Sequence, residues 1–127
     1  MKIVALIARI LLGLVFFVFG LNGFLNFMKA PPLPPGLAAQ FIEALIKSHY
    51  FLPVAGLQVL GGALLLIGRY VPLGLTLLGP VIVNILLYHV LMEPKGLPVA
   101  IAVAILWGIV AYYFRQNFSG LFAQKMA

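Results

Sequence analysis

Cysteine is absent from the 127 residues, and the only acidic side chains are Glu43 and Glu93. Without thiols there is no disulfide framework, no thiolate metal site and no dithiol relay. Two histidines and two glutamates scattered along the chain do not make a metal site either, and none is expected. Charge of any kind is scarce: 8% of residues, against about 25% in a soluble domain. Hydrophobic residues make up 65%. A water-soluble fold of this size could not cover itself with so few charges, so most of the surface is read as facing lipid. The length suits one domain, residues 1–127. The formal charge of +6 does not point to nucleic acid, because the basic residues fall between apolar runs and near their ends. Cations in those positions flank membrane spans and meet anionic headgroups.

Four long apolar segments are present, at about residues 3–27, 51–68, 72–91 and 97–114. Each is close to the ~20 residues that carry a helix across a hydrocarbon core of ~30 Å. Transmembrane strands would be shorter and would alternate in polarity. The first run begins with Lys2, is interrupted by Arg9, and is followed by no convincing small-residue cleavage site, so it is read as an uncleaved span rather than a signal peptide. Short links at 68–72 and 94–96 make consecutive spans antiparallel. The predicted fold is therefore an all-α integral membrane protein, a four-transmembrane-helix antiparallel bundle. Pro80 falls inside the third span and predicts a kink there. The first link differs: 31–36 is proline-rich and should be extended. Residues 37–48 then read as a short amphipathic helix, with Leu37, Ala38, Phe41, Ile42 and Leu45 on one arc and Gln40, Glu43 and Lys47 on the other. Too short to span, it is expected to lie at the interface or to cap the bundle.

The distribution of Lys and Arg sets a direction. Lys2, Arg9, Arg69, Arg115 and Lys125 fall on one side of this topology, Lys29, Lys47 and Lys95 on the other with both glutamates. Five against three places the amino and carboxyl termini in the cytoplasm. Tyr112, Tyr113 and Arg115 suit an interfacial anchor at the inner end of the last span. Helix contacts are expected through small residues: Gly13 and Gly20 on the first span, Gly61 and Gly62 on the second, and Ala100, Ala104 and Gly108 on the fourth.

Polar groups in hydrocarbon are costly, so each needs a reason. The ligand-binding candidates are Arg9, Asn22, Gln58, Asn84, Tyr88 and His89. Arg9 shares a helix face with Gly13, Phe16, Gly20 and Gly23 and lacks a carboxylate at its depth. Two readings stand for it: snorkelling to a lipid phosphate, or an inward guanidinium held by helix carbonyls or an anionic ligand. Asn22, Asn26, Gln58, Asn84 and His89 all fall in the outer half of the predicted membrane. Hydrogen bonding between helices would account for the asparagines, at about 0.6 kcal/mol per contact. Alternatively the set lines a small polar pocket with apolar walls, which suits a quinone or a lipid. His89 would then donate to a carbonyl or exchange a proton, unless it pairs with Glu93 four residues on. No nucleophile–base pair, metal motif or cofactor fingerprint is present, and no catalytic residue is assigned.

The run Ala8-Arg9-Ile10-Leu11-Leu12-Gly13-Leu14-Val15-Phe16-Phe17-Val18-Phe19-Gly20-Leu21-Asn22-Gly23-Phe24 resembles the opening span of DoxX-type membrane proteins. Residues 60–70 resemble their second span and hairpin, and residues 80–89 their third. The resemblance implies a four-helix protein of the bacterial cytoplasmic (inner) membrane, at most a subunit of a quinone-linked oxidoreductase. Many relatives carry an acidic residue near the position of Gln58, and the neutral amide here weakens any charge-pair chemistry with Arg9. The expected function is a non-catalytic binding or accessory subunit that accommodates a quinone- or lipid-like molecule or supports a membrane redox partner. A structural or assembly role without a ligand is the alternative. No cofactor other than a quinone or lipid is expected. The partners expected are the bilayer itself and either another membrane protein or further copies of this chain.

Overall fold

The computed structural model describes residues 2–27 and 35–122. Most of the proline-rich stretch 31–36, together with Lys29 and Lys125, lies outside the described residues. The described chain is all-helical, with no strand among the described residues. The elements are α1 (Lys2–Leu25), α2 (Leu37–Lys47), α3 (Phe51–Ile67), α4 (Val71–Leu91) and α5 (Leu97–Tyr113). A 3₁₀ turn, Pro94–Gly96, leads into α5, and a 3₁₀ segment, Arg115–Phe122, follows it.

The helices stop where the sequence supplies residues that leave the right-handed region. Asn26 has φ of 52° just past α1, and Gly68 has φ of 81° just past α3. Glycine and asparagine are the residues that close helices in this way. The Gly68 amide donates back to the Leu64 carbonyl at 3.0 Å, and Tyr70, with φ of 56°, then opens α4. Two left-handed residues within three positions make the α3–α4 reversal tight. His49, with φ of 61°, sits between α2 and α3, whose axes differ by 85°. Prolines occupy the first turns of α4 and α5, where the missing amide would be unpaired anyway. Pro80 falls inside α4, which stays helical through it.

Three helical segments, Lys2–Leu25, Val71–Leu91 and Pro94–Tyr113, are long and apolar enough to cross a membrane. The bent pair α2–α3 would raise the number to four if it forms one span. α3 has 17 residues against 24 in α1. At 1.5 Å per residue it is about 10 Å shorter.

α1, α3, α4 and α5 form a ring in that order, each packed on its two neighbours. Contacts run in opposite chain directions along the seams: Gly13 meets Gly62 and Leu66, while Gly20 meets Ala55 and Val59. The core along the ring is aliphatic, with Leu12, Leu65, Leu75, Leu78 and Val110 fully buried and Phe16 beside them. No polar or charged residue is buried among the described residues.

The two consecutive glycines of α3 serve different seams. A Cβ on Gly62 would stand 2.6 Å from the Phe17 amide nitrogen and 2.8 Å from the Gly13 carbonyl of α1. A Cβ on Gly61 would instead meet the Leu78 side chain of α4 at 2.7 Å. Residues one apart on a helix point about 100° apart, so the pair lets α1 and α4 approach α3 from two sides. The stripe expected on α5 is covered only in part. Ala100 is buried and Ala104 half-buried, but Gly108 is exposed, with nothing within 4 Å of the position a Cβ would take.

Candidate functional site at the cation-rich end

One end of the ring gathers the start of α1, the end of α3, the start of α4 and the end of α5. Among the described residues it carries Lys2, Arg9, Arg69 and Arg115 and no acid. The opposite end carries Glu43, Lys47, Glu93 and Lys95. There Glu43 and Lys47 pair at 2.9 Å and the Glu93 carboxylate lies 3.2 Å from His89 Nδ1. The acids are thus engaged at one end, and among the described residues the cations of the other have no carboxylate near them.

Arg9 is half-buried, and its guanidinium Nη1–H donates to the Leu65 carbonyl. The geometry follows from helix length. Because α3 is about 10 Å shorter than α1, its last carbonyls end near the level of Arg9, below the start of α1. Past Leu64, which receives the Gly68 amide, those carbonyls have no onward helical amide, and they carry the negative end of the helix dipole. The arginine and the helix end satisfy each other. Gly68 makes room for this: a Cβ there would lie 2.8 Å from Arg9 Nη1. Of the two sequence readings of Arg9, the inward guanidinium held by a helix carbonyl matches this arrangement.

Two clefts open at this end. The first, of about 140 Å³, lies between α1 and α5 and is lined by Lys2, Ala5, Leu6, Arg9, Tyr113 and Phe114. The second, of about 390 Å³, lies between α4 and α5 and includes Thr76, Gly79, Trp107, Arg115 and Phe118. The first sets two cations, Lys2 and Arg9, against apolar walls, and the second sets one, Arg115. In the second cleft the Trp107 indole donates to the Leu75 carbonyl at 2.9 Å, across from α5 to α4, with Gly79 beneath the ring. Pro80 has no amide N–H, so the Thr76 carbonyl four residues earlier lacks its usual helical donor. At the mouth, Arg115 stands 4.2 Å over the Tyr112 ring and donates to the Tyr112 carbonyl at 2.8 Å. This pair forms an aromatic–cation unit at the end of the last helix.

The other sequence candidates are dispersed. Tyr88 and His89 do meet, edge to face at 5.0 Å. Tyr88 also faces Phe41 of α2 at 5.6 Å, which docks the short helix on α4. His89 Nδ1 lies 3.0 Å from the Glu93 carbonyl as well as beside its carboxylate, so this histidine secures the α4–α5 turn. Asn84 is exposed and donates to the Pro80 carbonyl of its own helix at 2.8 Å, not to a neighbouring helix as its position suggested. Asn26 is exposed, and its left-handed backbone ends α1. Asn22 and Gln58 are half-buried, and Gln58 lies against the Gly20 backbone. Of the six candidates only Arg9 lines either cleft.

Trp107, Thr76 and Tyr113 were not among the residues the sequence singled out as ligand candidates. The signal for Trp107 was available: it is the single tryptophan, its N–H needs an acceptor, and Gly79 followed by Pro80 thins the facing helix. Among the described residues no three His, Asp or Glu side chains come together to hold a metal. No family model, curated protein or solved structure matches the chain.

Proposed function

We propose that this chain crosses the membrane four times and acts there as a non-catalytic binding or accessory protein for an amphiphile, a lipid- or quinone-like molecule. In this reading α3 is the fourth span, entered through the 85° corner at His49. α2 lies along the interface, and the cation-rich end faces the cytoplasm of a bacterial cell. The resemblance of the first span to DoxX-type proteins adds a membrane redox enzyme as the kind of partner such a subunit would serve.

One observation carries the proposal: both clefts set a cation against apolar walls at the end of the ring that has no acidic side chain among the described residues. A ligand with a polar head and a greasy body matches that arrangement. The Arg9–Leu65 bond supports a crossing by short α3, because it satisfies backbone that would otherwise meet hydrocarbon unpaired.

Two experiments test it. The chain has no cysteine, so single cysteines report sidedness directly. Arg69→Cys and Arg115→Cys should react with an impermeant maleimide only from the inner face, and Lys47→Cys and Lys95→Cys only from the outer face. Labelling of Lys47→Cys and Arg69→Cys from the same side would remove the third helix as a span. Gentle extraction followed by mass spectrometry should recover a lipid or quinone at a fixed ratio to protein. Recovery of bare protein would end the binding reading and leave a structural or assembly role.

A further inference from the structure

The α1–α5 cleft has a more specific chemistry than apolar walls with a charge nearby. Lys2, Ala5, Leu6 and Arg9 follow the i, i+3, i+4, i+7 spacing of one helix face, so both cations stand on the same wall. Between them lies buried Ala5, whose single methyl leaves the floor low. The facing wall is Tyr113 and Phe114, which adds a phenol to the donors and an aromatic ring to the apolar lining. Arg9 is fixed from behind by the Leu65 carbonyl. A guanidinium carries five N–H donors in a rigid fork and holds its charge at any relevant pH. One anchored N–H leaves the others for a second partner, already oriented. No carboxylate among the described residues competes for it, since both acids are at the far end.

We infer that the α1–α5 cleft binds a phosphate oxyanion, and that the phosphate is the headgroup of an anionic phospholipid. The inference rests on the amphiphile reading above and gives it a ligand class and a location. Arg9 takes the phosphate oxygens through the donors not used by Leu65. Lys2 adds a second charge at the mouth, and Tyr113 adds an O–H donor. Leu6 and Phe114 flank the start of the acyl chain. Charge-assisted bonds from an arginine fork to phosphate are short and roughly twice as strong as neutral ones. The cleft therefore separates phospholipids from glycolipids, whose headgroups offer neutral hydroxyls and no phosphate.

The test uses the full chain in nanodiscs of phosphatidylglycerol and digalactosyldiacylglycerol, with bound lipid read by native mass spectrometry. Wild type should retain phosphatidylglycerol about tenfold over digalactosyldiacylglycerol, as expected for one charge-assisted hydrogen bond. Lys2→Gln and Tyr113→Phe should each lower that preference about threefold, and Arg9→Lys should lower it further. Arg9→Lys keeps the charge but cannot hold the Leu65 carbonyl and a bidentate phosphate together. Because Arg9 also caps α3, the two gentler variants keep the test decisive if Arg9→Lys fails to fold. Arg69→Gln, at the same end but outside the cleft, should leave the preference intact. Equal retention of both lipids would overturn the site while leaving amphiphile binding in place. An equal loss in Arg69→Gln would overturn it too, because diffuse surface charge would then suffice. Excess inorganic phosphate should leave the lipid adduct unchanged, and its displacement would assign the cleft to a free oxyanion instead.

Discussion

The seam between α1 and α3 and the outward face of α5 are built from the same kinds of residue and end up in opposite situations. On the seam, Gly13, Gly20 and Gly62 bring backbone against backbone, and added methyl groups would fall 2.6–3.0 Å from main-chain atoms of the partner helix. On α5, Gly108 meets nothing, and Ile101 and Ile105 on the same side stand exposed. Small residues in a greasy helix therefore do not mark a contact by themselves. What distinguishes the seam is reciprocity: Gly13 and Gly62 each occupy the space the other leaves. Reciprocal small residues allow the close approach that helix association in lipid depends on.

The largest effect should come from the seam. Gly62→Ala and Gly20→Ala each force main-chain atoms apart and should cost about 2–3 kcal/mol, read as a lowered thermal midpoint in detergent. A midpoint unchanged by both would mean the helices do not close here. Next is Gly68→Ala, which places a side chain in the left-handed region, at about 1–2 kcal/mol, and pushes against Arg9. Its loss should shrink when Arg9 is shortened in the same chain, and simple additivity would separate the turn from the cap. Trp107→Phe keeps the ring and removes the bond to the Leu75 carbonyl, for about 0.6 kcal/mol. Quenching of the indole fluorescence by a lipid-borne quencher would locate the same residue in the wild type. Gly108→Ala should change stability least, by within about 0.5 kcal/mol. A loss as large as that of Gly62→Ala would show that the open face is covered, for instance by another copy of the chain.

Helix positions could be read closely from composition, because apolar runs broken by Gly, Pro and charge leave few choices. α4 and α5 begin and end within about two residues of the expected limits, and the amphipathic segment forms α2. Pro80 lies inside α4, which runs as one helix from Val71 to Leu91. The site was harder to read. Counting depth along each helix gathered the polar residues in one half of the membrane, but depth says nothing about azimuth. Asn84 turned to its own helix, and Asn26 went to a helix end. Arg9 could be flagged as unusual, yet its acceptor lies 56 positions away. Finding that acceptor required knowing how α3 is staggered along α1, which the span lengths alone do not give. The clefts depend on how helix ends are staggered, which no single segment encodes.

The bond from Arg9 to Leu65 also implies an order of assembly. Made first in the chain, α1 carries a guanidinium whose acceptor does not exist until α3 has formed and turned back beside it. Until then the charge must be sheltered by water or lipid phosphate, at a cost that translocon measurements put at about 2.5–3.5 kcal/mol for a helix centre. In the proposed four-span reading, the first helix is thus a provisional resident of the bilayer, made permanent by the third. A chain ending before α3 should be extracted from membranes more readily than the same fragment carrying Arg9→Leu, and the full-length pair should not differ in that way.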